Sequence, residues 1–190
     1  MKATKQTIGL ILGVFVAQAI ALFATLPTDQ YFVLEPPVTE NSWTLLTSVY
    51  SHAGVGHLIS NLVALAILGF FVERVTNMRR FHAFFIVTGV VAGVSQILLS
   101  SVVGTPAGVL GASGAIFALM GYSLVGNDLT SSFVSFLELS RAKTILLYVI
   151  LAVIVTMATA SQGVALYAHA TGFALGAVAG HFRVLHVDSS

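Results

Sequence analysis

Residues 110–126 read LGASGAIFALMGYSLVG. The run carries no charge and opens on a serine, Ser113, flanked by Gly111 and Gly114. Gly114, Ala118 and Gly121 put small side chains at near-helical spacing, which lets a second helix approach the backbone closely. A segment of this kind sets a hydroxyl at the mouth of a stretch suited to hydrocarbon. Polar groups in hydrocarbon are costly, so the serine is a functional candidate by default. Some fifty residues on, His169 opens a second apolar stretch with glycines at Gly172, Gly176 and Gly180.

Composition agrees with hydrocarbon as the solvent. Of 190 residues, 57% are hydrophobic and 8% charged, against roughly 25% charged in a soluble domain, and the mean hydropathy is +0.97. A bilayer core takes about 20 apolar residues per helix. Six stretches approach that length: residues 8–26, 57–75, 81–103, 110–126, 144–160 and 164–185. Turn residues separate them, among them Pro27, Pro36-Pro37, Gly104-Thr105-Pro106, Gly126-Asn127-Asp128 and Gln162-Gly163. The expectation is an all-α membrane protein, one six-span helical bundle over residues 1–190. The first stretch, behind Lys2 and Lys5 and with Ala24 near its end, also has the outline of a secretory signal peptide.

Charge sets the orientation. The eight Lys and Arg residues lie at Lys2 and Lys5, at Arg74, Arg79 and Arg80, at Arg141 and Lys143, and at Arg183. By the positive-inside rule both termini face the cytoplasm, and residues 27–56, 104–109 and 161–163 face outward. Stretches two, four and six then begin at the outer face, and their first turns carry His57 and Asn61, Ser113, and His169. Scattered packing residues have no reason to share one depth on alternate helices. A net charge of +1 without a basic cluster argues against nucleic acid as a partner. With no cysteine, thiol catalysis and Cys-zinc sites are excluded. His82, His181 and His186 fall among basic residues near the inner ends, where interfacial roles are the default.

A serine hydroxyl becomes a nucleophile when an adjacent imidazole accepts its proton. Ser113 and His169 supply that pair, and Gly111 and Gly114 leave room for a substrate backbone. The N-terminal amides of the serine helix offer partly positive donors. His57 and Asn61, at i and i+4, present side-chain donors on one helical face that suit an oxyanion. Singly, each group has an ordinary structural explanation: a serine bonds back to its own helix, and a histidine or asparagine holds helices together. A zinc site from His52, His57 and His169 would give Ser113 no role. A transporter would want carboxylates in the outer halves of the spans, and none is there.

At these residues the chain resembles the rhomboid family of intramembrane serine proteases. The family's two histidines and an asparagine are matched by His52, His57 and Asn61, with Glu73-Arg74 at the inner end. Its nucleophile motif is matched by Gly111-Ala112-Ser113-Gly114 and its base motif by His169, Gly172 and Gly176. The resemblance implies a six-helix rhomboid bundle in the cell membrane whose active site opens outward. Ser113 is then the nucleophile and His169 the general base. His57, Asn61 and the Ser113 amide form the oxyanion hole, with His52 in support. It implies proteins with transmembrane segments as substrates, small residues just before the cut, and neither metal nor cofactor. It also implies a first outer loop lying partly in the outer leaflet. A catalytically silent relative that binds transmembrane clients is the alternative. Two positions depart from the pattern: Thr44 follows Trp43 where many members carry arginine, and Phe117 stands where many carry tyrosine.

The charge distribution generates a topology prediction. Thr39→Cys and Gln162→Cys should react with an impermeant maleimide added outside intact cells, whereas Asp128→Cys should stay unlabelled until the membrane is opened. The opposite pattern would invert the orientation.

Overall fold

A computed structural model describes residues 1–105, 107–128, 132, 136–137, 139–158 and 165–187. Gln162, with the rest of the 161–163 turn, lies outside the described residues, as do Pro106 and the adjoining ends of the last two predicted stretches. Among the described residues there are eight helices: α1 (Lys2–Phe23), α2 (Thr28–Phe32), α3 (Thr44–Tyr50), α4 (Val55–Val72), α5 (Met78–Val102), α6 (Ser113–Val125), α7 (Arg141–Ala158) and α8 (Leu166–His181). Extended pairing among them is limited to an isolated antiparallel bridge between Leu34 and Val109.

Three helices, α1, α4 and α5, are long and apolar enough to cross a membrane. Their outward faces are hydrophobic: Val16, Ile20, Ile59, Ile67, Val87 and Leu98 are all exposed. In water such a surface would collapse, whereas in lipid it is the matched one. Polar groups collect inside instead, with Thr7, Ser48, His52, Asn61, Gln96 and His169 all buried.

Helix boundaries depart from the predicted stretches for identifiable reasons. Helix α1 starts at Lys2, ahead of its apolar run, because the Glu73 carboxylate at the end of α4 accepts the Ala3 N–H at 2.8 Å and the Thr4 N–H at 3.2 Å. These are donors a helix start leaves unpaired. Helix α5 starts at Met78 because the Asn77 side chain caps it, accepting the Arg80 N–H at 2.9 Å. The largest difference is α6. Its 13 residues span only about 20 Å at a rise of ~1.5 Å per residue. The chain ahead of Ser113 is held out of the helix: Leu34 and Val109 exchange backbone hydrogen bonds of 3.0 and 2.9 Å, and the Gly111 N–H donates to the Ser48 carbonyl at 2.8 Å. The helix therefore begins at Ser113 itself.

Helix α6 is the hub, buried from Gly114 through Leu119 and packed against α4, α5 and α8. Its contact with α8 is backbone on backbone. A Cβ at Gly172 would run into the Gly114 carbonyl, one at Gly176 into the Ala118 carbonyl, and one at Gly121 into the Phe173 carbonyl. At Gly180 a Cβ would lie 2.8 Å from the Tyr122 carbonyl oxygen. Lipid supplies no hydrophobic force between helices, so close van der Waals approach must do this work, and glycine permits it.

The loop ahead of α3 is tied down without the arginine of the family pattern. The Trp43 indole N–H donates to the Gln30 carbonyl at 3.0 Å, and the Thr44 hydroxyl donates to the Asn41 carbonyl at 2.6 Å. Thr44 is only 1% exposed, which leaves an arginine no room. At the opposite end of the bundle from Ser113, Arg80 donates to the Val184 and His186 carbonyls, the Tyr122 hydroxyl meets His186 Nδ1 at 2.7 Å, and Arg183 pairs with Asp128.

Gly176→Ala should lower stability by about 1–3 kcal/mol, the usual cost of overpacking, read as a reduced Tm in detergent. Gly9→Ala, where a Cβ meets nothing within 4 Å, should leave Tm unchanged. Equal Tm values for both variants would mean that α6 and α8 are not in backbone contact.

Candidate active site

Ser113 is the first residue of α6 and is half-buried. The residue before it, Ala112, has no side chain able to cap the helix, so the first-turn N–H groups remain directed at the space beside the hydroxyl. Gly111 takes φ +129°, a backbone region favouring glycine. Its missing side chain is also the space into which His57 fits. A Cβ there would lie 2.7 Å from His57 Cε1 and 3.0 Å from Nε2, with Ser113 Oγ at 3.8 Å from the same point. One glycine thus brings the His57 ring and the serine hydroxyl to a common space.

His169 sits in the first turn of α8 and is buried. Its ring stacks on Phe117, with centroids 4.0 Å apart and planes 16° from parallel. Phe117 lies one turn below Ser113 on α6, the i to i+4 relation that puts two side chains on one face. The stack therefore presents the imidazole on the serine's side of α6. The departure from tyrosine leaves ring packing intact and removes only a hydroxyl. His169 Nδ1 is buried with no hydrogen-bond partner, and among the described residues no hydrogen bond joins Ser113 to His169.

Asn61 is buried one turn below His57, and its Nδ2 donates to the His57 carbonyl at 2.9 Å. A carboxamide has two N–H donors, so one is engaged by its own helix in this state. His52 lies behind His57, ring centroids 5.0 Å apart. Its Nδ1 is 3.2 Å from the Tyr50 carbonyl. A carbonyl accepts only, so the proton sits on Nδ1 and the buried, unpartnered Nε2 carries the lone pair. The His52 backbone N–H is held by Gln18 Oε1 of α1 at 2.9 Å. Among the described residues, no three His, Asp or Glu side chains gather closely enough to hold a metal ion.

The start of α6 thus places Gly114 against the start of α8, while Gly111 just ahead of it sets Ser113 beside His57, with His52 and Asn61 adjoining His57. Two supports escaped the sequence reading. Ser48 of α3 holds the Gly111 N–H, and Gln96 of α5 bonds the start of α8. Gln96 did carry a signal, an amide in the middle of an apolar stretch, which membrane energetics marks as purposeful. Ser48 carried none, because it contributes through its backbone carbonyl.

Comparison with known proteins returns one family. The rhomboid domain model matches residues 39–185. Rhomboid-related protein 2 of Mus musculus is 33% identical over 141 residues, covering 71% of this chain and 43% of that protein. The rhomboid protease GluP of Bacillus subtilis is 35% identical over 79 residues, 42% of this chain and 15% of that protein. RHOMBOID-like protein 4 of Arabidopsis thaliana is 29% identical over 143 residues, 74% of this chain and 34% of that protein. The matches thus span less than half the length of these relatives.

Gly111→Ala should be destabilising twice over, through its positive φ and through the His57 ring, by about 1–3 kcal/mol. Gly54→Ala, with open space around its Cα, should shift stability by less than about 0.5 kcal/mol. Denaturant titration of both variants is the check, and a neutral Gly111→Ala would remove His57 from this position.

Proposed function

Because this chain belongs to the rhomboid family, we propose that it is an intramembrane serine endopeptidase, cleaving peptide bonds in or beside transmembrane segments of other membrane proteins. The observation that carries this reading is the stack of His169 on Phe117, one turn from Ser113, at a helix start with unpaired N–H groups. A family member retaining both a nucleophile and a base, with the base ring held on the nucleophile's face, has the parts for acyl transfer. The proposed setting is a six-span bundle in the cell membrane, with both termini cytoplasmic and the site open to the outer face. The distribution of Lys and Arg supports that orientation. The brevity of α6 supports a serine below the membrane surface, since about 20 Å of helix falls short of a hydrocarbon core of ~30 Å.

In the proposed reaction, Ser113 Oγ attacks the scissile carbonyl carbon as His169 takes the hydroxyl proton. The carbonyl oxygen becomes an oxyanion, met by the Ser113 N–H and by donors from His57 and Asn61. Collapse of the tetrahedral species breaks the C–N bond, and His169 returns its proton to the departing amine. Water then attacks the acyl-enzyme with His169 again as base, releasing the carboxylate and restoring Ser113. A helical substrate hides its carbonyls in internal hydrogen bonds, so residues that weaken helices near the cut favour cleavage. His52 supports the site from behind His57.

A fluorophosphonate probe tests the chemistry. Wild-type protein should be labelled at Ser113, Ser113→Ala should not, and His169→Ala should lose nearly all labelling while remaining inserted. Asn61→Ala should reduce kcat by about 10²–10³, equivalent to ~2.7–4 kcal/mol, with little change in KM, because its donor matters when the oxyanion forms. A folded wild-type protein that takes no label would return the chain to the silent, client-binding alternative.

A further inference from the structure

Helix α8 begins without a cap of its own, since the residue ahead of it is Ala165 and no side chain within the first turn supplies one. A helix start leaves its first N–H groups unpaired, and a donor buried in the protein, as at Ala168, must find an acceptor there. The acceptor comes from another helix. Gln96 Oε1 on α5 accepts the Tyr167 N–H at 3.0 Å and the Ala168 N–H at 3.2 Å. Both partners are donors, so the carboxamide must turn its oxygen toward α8. Next to it on α5, Ser95 Oγ is hydrogen-bonded to Thr171 Oγ1 at 2.9 Å. Helix α5 therefore grips α8 at residues 167, 168 and 171, on both sides of His169.

We infer that Gln96 is a positioning residue for His169: its carboxamide oxygen caps α8 from α5 and so fixes the height and rotation of the turn that presents the imidazole to Ser113. The glycine contact with α6 sets how closely α8 approaches, but a ridge of small residues leaves sliding and rotation weakly resisted. Two directed hydrogen bonds at the helix start supply that missing restraint. Gln96 is only 9% exposed, and an amide buried this deeply needs such partners to offset its desolvation. The role presupposes that His169 is the base of the proposed endopeptidase, whereas the capping itself does not.

The experiment uses the full chain in detergent or nanodiscs, with three readouts: the rate of fluorophosphonate labelling at Ser113, amide hydrogen exchange across 166–172, and Tm. Gln96→Leu removes the acceptor at similar volume. It should slow labelling by about ten- to a hundredfold, the scale of a displaced catalytic group, and speed exchange at Tyr167 and Ala168 while α4 exchanges as in wild type. Gln96→Glu keeps an acceptor oxygen at the same reach and should restore labelling to within a few fold, which general loss of packing would not explain. With a cleavable transmembrane peptide, the Gln96→Leu loss should fall on kcat with KM little changed. If that variant cannot be purified folded, Gln96→Asn, whose amide is one methylene short, is read the same way. Wild-type labelling and exchange in Gln96→Leu overturn the inference, as does a Gln96→Glu protein no better than Gln96→Leu. A wild-type protein that takes no label would defeat the endopeptidase reading instead, and exchange at residues 167 and 168 would still decide the cap.

Discussion

Backbone contact between α6 and α8 is the constraint on which the remainder of the molecule depends. Carbonyls of Gly114 and Ala118 lie where side chains of residues 172 and 176 would otherwise be. Two helices at this separation cannot both carry ordinary side chains along the seam, and in lipid nothing but packing and polar bonds draws them together. The glycines on α8 thus permit what burial would drive in water. With the separation set, the first turns of the two helices lie alongside each other, and the side chains flanking the seam, Phe117 and His169, stack.

Around that seam the other helices act by satisfying backbone groups at helix starts. Glu73 of α4 accepts from the start of α1, and Gln96 of α5 accepts from the start of α8. A soluble protein leaves many such groups to water or to a local Ser or Asp cap. Here the residues before both helices, Met1 and Ala165, offer no side-chain cap, and the acceptor arrives from a helix distant in sequence. Each long-range cap does two things at once: it removes a polar cost, and it locks the relative position of two helices with directed bonds.

The serine loop shows the same economy. Gly111 is bonded through its N–H to Ser48, takes a backbone conformation that side chains disfavour, and gives its vacant side to the His57 ring. With Leu34 and Val109 paired just before it, the chain enters α6 along a restrained path. The proposed nucleophile is thus held by backbone geometry, while its proposed partners His57 and His169 are held by ring contacts. Asn61 is the exception, since it spends one donor on its own helix and has one left for an oxyanion.

From the sequence alone, the membrane setting, the all-helical class and the family were legible, and Ser113, His169, His57 and Asn61 stood out as the candidate site. Each is written in composition, in the period of apolar residues, or in a short motif. The glycine spacing at 172, 176 and 180 even announced a close helix contact. Tertiary structure alone decided where helices begin and what holds them there. Residues 110 and 111 belong to an apolar stretch yet stay outside the helix, because the chain there is pinned by the Val109 pairing with Leu34 and by the Gly111 N–H bond to Ser48. Helix α1 runs back through Lys2 because a carboxylate at Glu73 receives its amides. The caps at Glu73 and Gln96 join residues about seventy positions apart, a distance over which hydropathy and local propensity carry no information. Such pairings exist only once the helices have packed, because only then do an orphan N–H and a distant acceptor share a place without water.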